Sequence, residues 1–144
     1  MSEILLEEKK SEKLLSYRKA QFSIVDNDLI ITIPFSNMNL ALRQYMKLTN
    51  KDNSQFKELH EKYFELNKLP VVLESEYSKT LGAIGHFFID YDCSLMIRID
   101  YGNLDFACWS YLDFIGDYKW RQIENVKVRD YCLSKYVNKM AVSK

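Results

Sequence analysis

The clearest β-hairpin signal in the chain is the stretch FSIVDNDLIITI, residues 22–33. Two runs rich in β-branched residues flank the polar triplet Asp26-Asn27-Asp28. Asn and Asp tolerate the left-handed backbone that a tight hairpin turn requires. Pro34 has no N–H to donate to a sheet, so it ends the second strand. The stretch therefore predicts two strands, over 22–25 and 29–33.

A second strand-rich region follows later in the chain. Three segments there predict strands: 87–91, 94–101 and 104–111. In the middle segment, Leu95, Ile97 and Ile99 occupy every second position, which is typical of a strand with one buried face. Tight turns are predicted at Asp92-Cys93 and Gly102-Asn103. We therefore expect an antiparallel meander here.

Amphipathic spacing predicts helices between and around these strands. The predicted helices are 2–18, 36–48, 55–67 and 130–140. Phe56, Leu59 and Tyr63 follow the three-to-four residue spacing of a helix face. Ser2, Ser36 or Asn37, and Ser54 are candidate N-terminal caps, because their side chains accept backbone hydrogen bonds. Residues 69–73 are predicted to start an extended or loop segment, and residues 118–124 are ambiguous.

These elements predict a single α+β domain over residues 1–144. We expect an antiparallel sheet of about five strands, made of the N-terminal hairpin and the later meander, covered by three to four helices. A chain of 144 residues is long enough to bury a substantial core without disulfides or metal.

Composition excludes several classes of protein. Twenty basic and twenty acidic side chains give a net charge of zero, so no globally basic surface for nucleic acid is expected. The three cysteines, Cys93, Cys108 and Cys132, form no CxxC pair, which favours free thiols. No apolar run approaches the roughly 20 residues of a membrane span, and no signal peptide is visible. We expect a cytoplasmic protein with no cofactor and no membrane association.

Three short patterns are candidates for chemistry. Asp90 and Asp92 form a DxD that would place two carboxylates on one strand face, as a metal site requires, although a solvated turn explains them as well. His86 would need Cys93 or Cys108 within reach to make a nucleophile pair, and no local pattern supports that arrangement. Gly82 and Gly85 lack the Gly-Lys-Ser/Thr ending of a phosphate loop.

The distribution of charge is more informative than its total. Residues 87–118 contain one basic and six acidic side chains, whereas residues 119–144 contain seven basic and two acidic ones. The acidic segment also holds nine aromatic residues. One interpretation is that the basic segment packs beside the acidic one and offsets it. The other is an exposed acidic, aromatic face that recognises a basic protein.

The second interpretation gives the leading functional hypothesis, a non-enzymatic protein that masks a basic partner. An immunity protein for a nuclease toxin or a phage-type nuclease inhibitor would do so by placing aspartates where phosphates lie. The candidate partner-binding residues are Asp90, Asp92, Asp100, Tyr101, Asp105, Trp109, Tyr111 and Asp113.

Two alternatives remain open at this point. One is a single-stranded nucleic-acid-binding module that uses the basic C-terminal segment, where basic residues alternate with Trp120 and Tyr131. Its basic residues are Lys119, Arg121, Lys127, Arg129, Lys135 and Lys139. The other is a metal-dependent hydrolase built on Asp90 and Asp92.

Overall fold

The computed structural model describes residues 3–64 and 69–138. The strands among them are β1 (Glu3–Lys10), β2 (Lys19–Val25), β3 (Asp28–Ile33), β4 (Val71–Val72), β5 (Glu76–Ser78), β6 (Ala83–Ile89) and β7 (Leu95–Ile99). All pair antiparallel in an open sheet of order β1-β2-β3-β7-β6-β4, and β5 also pairs with β6. The sheet therefore has more strands than the five expected: β1 and β5 were not predicted as strands, and β4 lies within 69–73, which was predicted only as an extended or loop segment.

Four α-helices accompany the sheet in the described part of the chain. They are α1 (Met38–Leu48), α2 (Phe56–Phe64), α3 (Leu104–Ile115) and α4 (Asn125–Tyr136). α1 packs on β6 and β7, α3 packs on β2 and β3, and α4 packs against α3 and β1. The core lies between these helices and the sheet face that carries Ile24, Ile31 and Ile97, all essentially buried. The expected α+β class is confirmed.

The N-terminal hairpin was predicted correctly. β2 and β3 pair with Ile24 opposite Leu29 and Phe22 opposite Ile31. Asp26 and Asn27 form the turn with φ values of 51° and 68°. Two successive left-handed residues are typical of the type I′ turn, whose twist matches that of the flanking strands.

The predicted helix over 2–18 is wrong in the described residues. Residues 3–10 form β1, which pairs with β2 in a register that sets Ile4 opposite Ile24 and Leu6 opposite Phe22. Ile4 and Leu6 face the core while Leu5 faces outward, which is the two-residue period of a strand. Pairing with a strong hairpin strand therefore overrides the weak helical pattern. The predicted cap Ser2 lies outside the described residues.

The predicted third meander strand, 104–111, is also wrong, because these residues belong to α3. Asn103 caps the helix by accepting a hydrogen bond from the N–H of Phe106 at 3.1 Å. Gly116 ends it in the left-handed conformation, with φ of 82°. Ala107, Cys108, Tyr111 and Leu112 are all buried, and their spacing is helical rather than alternating.

Smaller differences concern helix ends. Asp52, rather than Ser54, caps the 3₁₀ turn that leads into α2, and it does so with a capping box that includes Gln55. α4 begins at Asn125, five residues before the predicted start, and ends at Tyr136. A 3₁₀ turn, Lys119–Gln122, fills the ambiguous stretch. The predicted helix ends at 67 and 140, and Lys139, lie outside the described residues.

Candidate functional site

The eight predicted partner-binding residues fall at three places. Asp90 and Asp92 lie in the β6–β7 turn, Asp100 and Tyr101 follow β7, and Asp105, Trp109, Tyr111 and Asp113 lie on α3. The turn and the start of α3 are at opposite ends of β7. The eight residues therefore do not form one continuous face.

The aspartates of the β6–β7 turn hold the turn itself. Asp90 accepts a hydrogen bond from the N–H of Tyr91 at 2.8 Å, and Asp92 accepts one from the N–H of Ser94 at 3.0 Å. The bond from Ser94 lowers the pKa of Asp92. Among the described residues, no group of three or more His, Cys, Asp and Glu side chains is placed to hold a metal ion. Both carboxylates hydrogen-bond within the turn that contains them.

Asp100 is compensated on the open face of the sheet. His86 Nε2 lies 2.9 Å from one carboxylate oxygen, and Arg98 Nε lies 3.1 Å from the other. Arg98 also contacts Asp28 at 2.6 Å, and this hydrogen bond raises the pKa of its guanidinium. Asp100 therefore belongs to a network with Arg98, His86 and Asp28 and is not an unpaired carboxylate.

α3 presents one outward side on which predicted residues do come together. Asp105, Trp109 and Asp113 are four residues apart and so share a helix face. Tyr111 points the other way and is completely buried. Its presence in a partner interface would require unfolding of α3, so it belongs to the core.

Four aromatic rings cluster on this side of α3. Phe106, which is 49% exposed, lies 6.5 Å from Tyr101 and 5.5 Å from Trp109, measured between ring centroids. Trp109 stacks on Trp120 at 6.1 Å with an interplanar angle of 12°. A depression of about 280 Å³ opens among these rings, and Arg121 contributes to its wall. We call Tyr101, Asp105, Phe106, Trp109, Asp113 and Trp120 the aromatic face.

The stacked indoles leave two donors unused. Nε1 of Trp109 and Nε1 of Trp120 are buried and have no hydrogen-bond partner among the described residues. Tryptophan N–H groups normally find an acceptor when buried, and leaving one without costs about 1–3 kcal/mol.

The carboxylates of the aromatic face make long ion pairs with the basic segment. Asp105 lies 3.5 Å from Arg129, and Asp113 lies 3.7 Å from Arg121 and 3.4 Å from Lys13. Both carboxylates are about half exposed. Exposed pairs of this kind contribute roughly 0–1 kcal/mol. Both interpretations of the charge distribution therefore apply in part: basic residues lie beside Asp105 and Asp113, but these ion pairs are weak and the carboxylates stay half exposed.

Asp117 is paired much more strongly. Its Oδ2 accepts hydrogen bonds from the hydroxyls of Tyr131 at 2.6 Å and Tyr136 at 2.5 Å, and Lys135 lies 3.5 Å away. Burial opposes ionisation of this carboxylate, but the tyrosine hydrogen bonds outweigh it and lower the pKa of Asp117 to about 2. Asp117 fixes α4 to the end of α3 and is not available to a partner.

Sequence reasoning missed two contributors to this region. Phe106 was assigned to a strand, so its place beside Trp109 one turn of helix away was not visible. Lys13 comes from the N-terminal segment and reaches Asp113 across about a hundred positions of sequence. The four-residue spacing of Asp105, Trp109 and Asp113 was the sequence signal that could have predicted a shared helix face.

Comparisons with known proteins add no relative to this picture. No protein-family model matches the chain, and neither curated proteins nor solved structures include a significant match. Within the described residues, no helix is both long and apolar enough to cross a membrane.

Proposed function

We propose that this protein is a non-enzymatic binding protein that recognises a basic protein partner through the aromatic face. The observation that carries the proposal is the cluster of Tyr101, Phe106, Trp109 and Trp120 between Asp105 and Asp113, in which Phe106 is exposed and the other three rings are partly buried. Trp, Tyr and Arg supply most of the binding energy in protein interfaces when they lie at the centre of the buried area. A nuclease toxin or host nuclease is the partner class that we favour.

The basic character of the partner follows from which charges are fixed. Asp105 and Asp113 have short side chains held on the rigid α3, one turn on each side of Trp109. Arg121 has a long side chain that lies over the rings of Tyr118 at 4.4 Å and Trp120 at 5.6 Å. It can remain on these rings while a partner cation replaces it at Asp113. Carboxylates placed this way steer a basic protein towards the aromatic centre.

The cytoplasm is the location we propose. Cys93, Cys108 and Cys132 are free thiols in the structure. Free thiols persist in compartments that glutathione and thioredoxin keep reduced. A location alongside intracellular nucleases agrees with the proposed partner class.

A photo-crosslinking experiment in the producing cells identifies the partner directly. Benzoyl-phenylalanine replaces Phe106 on the aromatic face, and a matched control replaces Val126, which is 77% exposed on α4. We expect one basic protein to be captured from position 106 and not from position 126. Equal capture at both positions, or capture of an acidic protein at 106, contradicts the proposal.

Affinity measurements with the captured partner then separate the contribution of buried aromatic area from the contribution of the carboxylate charges. Trp109→Ala should weaken binding by about 2 kcal/mol or more, which is roughly thirtyfold, because it removes a central ring. Its control is Tyr91→Ala, an exposed aromatic in the β6–β7 turn. Asp105→Lys should slow association several-fold, whereas Asp90→Lys makes the same charge change at the far turn and should not. Loss in the control variants as large as in the test variants would count against the aromatic face.

A further inference from the structure

A second surface runs beside the C-terminal end of α3, and no sequence pattern marks it. Two adjoining depressions of about 540 Å³ and 290 Å³ share Ile115, Gly116 and Tyr118 in their walls. Five lysines line the pair of depressions: Lys9, Lys10, Lys13, Lys119 and Lys135. We call this surface the lysine groove. The end of β1 and the loop after it supply three of these lysines, and the segment after α3 supplies two.

Carboxylates pair with three of these lysines and leave two unpaired. Lys9 lies 3.4 Å from Glu7, Lys13 lies 3.4 Å from Asp113 and Lys135 lies 3.5 Å from Asp117. Two carboxylates, Glu12 and Asp117, line the depressions. The Asp117 side chain is only 9% exposed and is held by two tyrosine hydroxyls. Within residues 3–64 and 69–138, neither Lys10 nor Lys119 has a carboxylate partner, and the ammonium of Lys10 lies over the ring of Tyr17 at 5.9 Å. The unpaired positive charge of the groove therefore comes from Lys10 and Lys119, which are both exposed.

Two exposed aromatic rings accompany the lysines. Tyr17 is 54% exposed and Tyr118 is 45% exposed, and both line the groove. Tyr118 lies at the junction of the two depressions, and Tyr17 lies in the smaller one. A positive groove that carries successive exposed rings suits a single nucleic-acid strand, because the phosphates follow the lysines while the bases stack on the rings.

The C-terminal end of a helix also attracts cations, and this explains one lysine but not the set. Lys13 donates to the carbonyl oxygen of Asp113 in the last turn of α3, at 3.3 Å. Lys10 and Lys119 make no such contact with α3 among the described residues. Stabilisation of the helix end therefore explains the position of Lys13 but not the positions of Lys10 and Lys119.

We propose that the lysine groove binds single-stranded nucleic acid, through its lysines to the phosphates and through Tyr17 and Tyr118 to the bases. The groove uses different rings from those of the aromatic face, and the two surfaces meet where Lys13 pairs with Asp113. The groove also differs from the nucleic-acid alternative predicted from the sequence, which used the basic C-terminal segment alone. It combines lysines from β1 and the following loop with Lys119 and Lys135.

Fluorescence anisotropy with 5′-fluorescein-labelled dT12 tests the groove on the full chain. Each phosphate contact with a single strand gives a slope of about −0.7 in log affinity against log salt. Three to four contacts predict that affinity falls roughly 20- to 50-fold between about 50 and 200 mM NaCl. Unlabelled dT12 should displace the probe, whereas a duplex of equal length should compete poorly, because its bases are not free to stack.

Paired variants separate the groove from general charge. Lys10→Glu combined with Lys119→Glu should weaken dT12 binding by about tenfold or more. The matched control combines Lys79→Glu with Lys127→Glu, two lysines that do not line the groove, and should change affinity less than about threefold. Tyr118→Ala should cost about fivefold or more through lost stacking, while Tyr91→Ala in the distant turn should cost nothing. Thermal melts of every variant confirm that each remains folded.

Three results would overturn the proposal. The first is no dT12 binding by the unaltered chain in low salt. The second is equal weakening by the groove variants and their matched controls. The third is full displacement of the probe by inorganic pyrophosphate at equal phosphate concentration with no effect of Tyr118→Ala, since that pattern describes a site for a small anion and not for a strand.

Discussion

The aromatic face and the lysine groove meet at Asp113, yet they are built from different interactions. Asp113 Oδ1 lies 3.7 Å from Arg121 on one side, and Oδ2 lies 3.4 Å from Lys13 on the other. Rings in mutual contact dominate the aromatic face, where each carboxylate already has a cation beside it. In the groove, lysines outnumber carboxylates. Binding at the first surface should depend on buried area, and binding at the second on salt concentration.

The difference teaches that the charge of a chain segment does not give the charge of a surface. The acidic segment, 87–118, contributes Asp105 and Asp113 to a face that the basic segment partly neutralises. The groove gains its charge by combining Lys119 and Lys135 with lysines from β1 and the following loop. A segment with a net charge of −5 thus borders a surface that five lysines line.

The largest expected effect comes from a residue that supports both surfaces and belongs to neither. The Tyr111 ring packs edge-on against Phe22 at 5.0 Å and Tyr136 at 5.4 Å, and its hydroxyl donates to the Glu7 carbonyl at 3.0 Å. Tyr111→Ala should lower the free energy of unfolding by about 3–5 kcal/mol, as large cavities in cores do. Urea unfolding followed by circular dichroism measures this loss.

A milder substitution at the same position serves as the control. Tyr111→Phe keeps the ring and removes only the hydrogen bond, so its cost should be about 1 kcal/mol. Both binding activities should decline with Tyr111→Ala in proportion to the unfolded fraction. If Tyr111→Ala abolished partner binding while stability stayed unchanged, Tyr111 would have to be a contact residue, and our assignment of it to the core would be wrong.

The next effect separates the two surfaces through Asp117. Its pKa of about 2 lies below the ordinary value of 3.8, so ionised Asp117 favours the folded state. This difference corresponds to about 2 kcal/mol of stability, present above the unfolded-state pKa and lost as pH falls through the folded-state pKa. Asp117→Asn should therefore be less stable by about 2 kcal/mol at pH 7, and the difference should shrink between about pH 5 and pH 2.

The same substitution should act in opposite directions on stability and on the groove. Removal of the Asp117 charge raises the positive potential around Lys119 and Lys135, so dT12 affinity should rise while partner affinity stays constant. Asp90→Asn removes an equal charge from the β6–β7 turn and should change neither dT12 affinity nor partner affinity. A stability difference for Asp117→Asn that is independent of pH would show that Asp117 is not ionised in the way we describe.

Much of the fold could be predicted because some local signals are strong. The hairpin over 22–33 combines β-branched runs with Asp26 and Asn27, and nothing elsewhere in the chain competes with that turn. β1 was missed since Ile4, Leu5 and Leu6 are too few to show a period, and pairing with β2 decides their conformation. The strand predicted at 104–111 failed because aromatic residues favour strands, whereas Asn103 and Gly116 cap a helix.

The candidate site was harder to predict than the fold. Asp105, Trp109 and Asp113 were named as partner-binding residues, but only the helix places them on one face and sends Tyr111 to the core. The stacking of Trp109 on Trp120 depends on how the segment after α3 folds back. The groove depends on β1 ending beside α4, a contact between distant parts of the chain that no local pattern records.

The smallest effect tests the boundary between the surfaces. Asp113→Asn removes the carboxylate charge that pairs with both Arg121 and Lys13. Because both ion pairs are exposed and long, the free energy of unfolding should change by less than about 1 kcal/mol. Association with the basic partner should slow by about two- to threefold, since one steering carboxylate is lost. Affinity for dT12 should rise by about twofold, because the charge of Lys13 is no longer offset by a carboxylate.

Asp92→Asn is the matched control for this test, because it removes one exposed carboxylate far from both surfaces. Stopped-flow association and dT12 anisotropy, measured on the same protein samples, give the two readouts. Opposite signs for Asp113→Asn, with no change for Asp92→Asn, require two adjacent surfaces of different chemistry that share one carboxylate. Equal signs would mean that Asp113 acts on a single surface, and the separation between the aromatic face and the lysine groove would then fail at the residue where they meet.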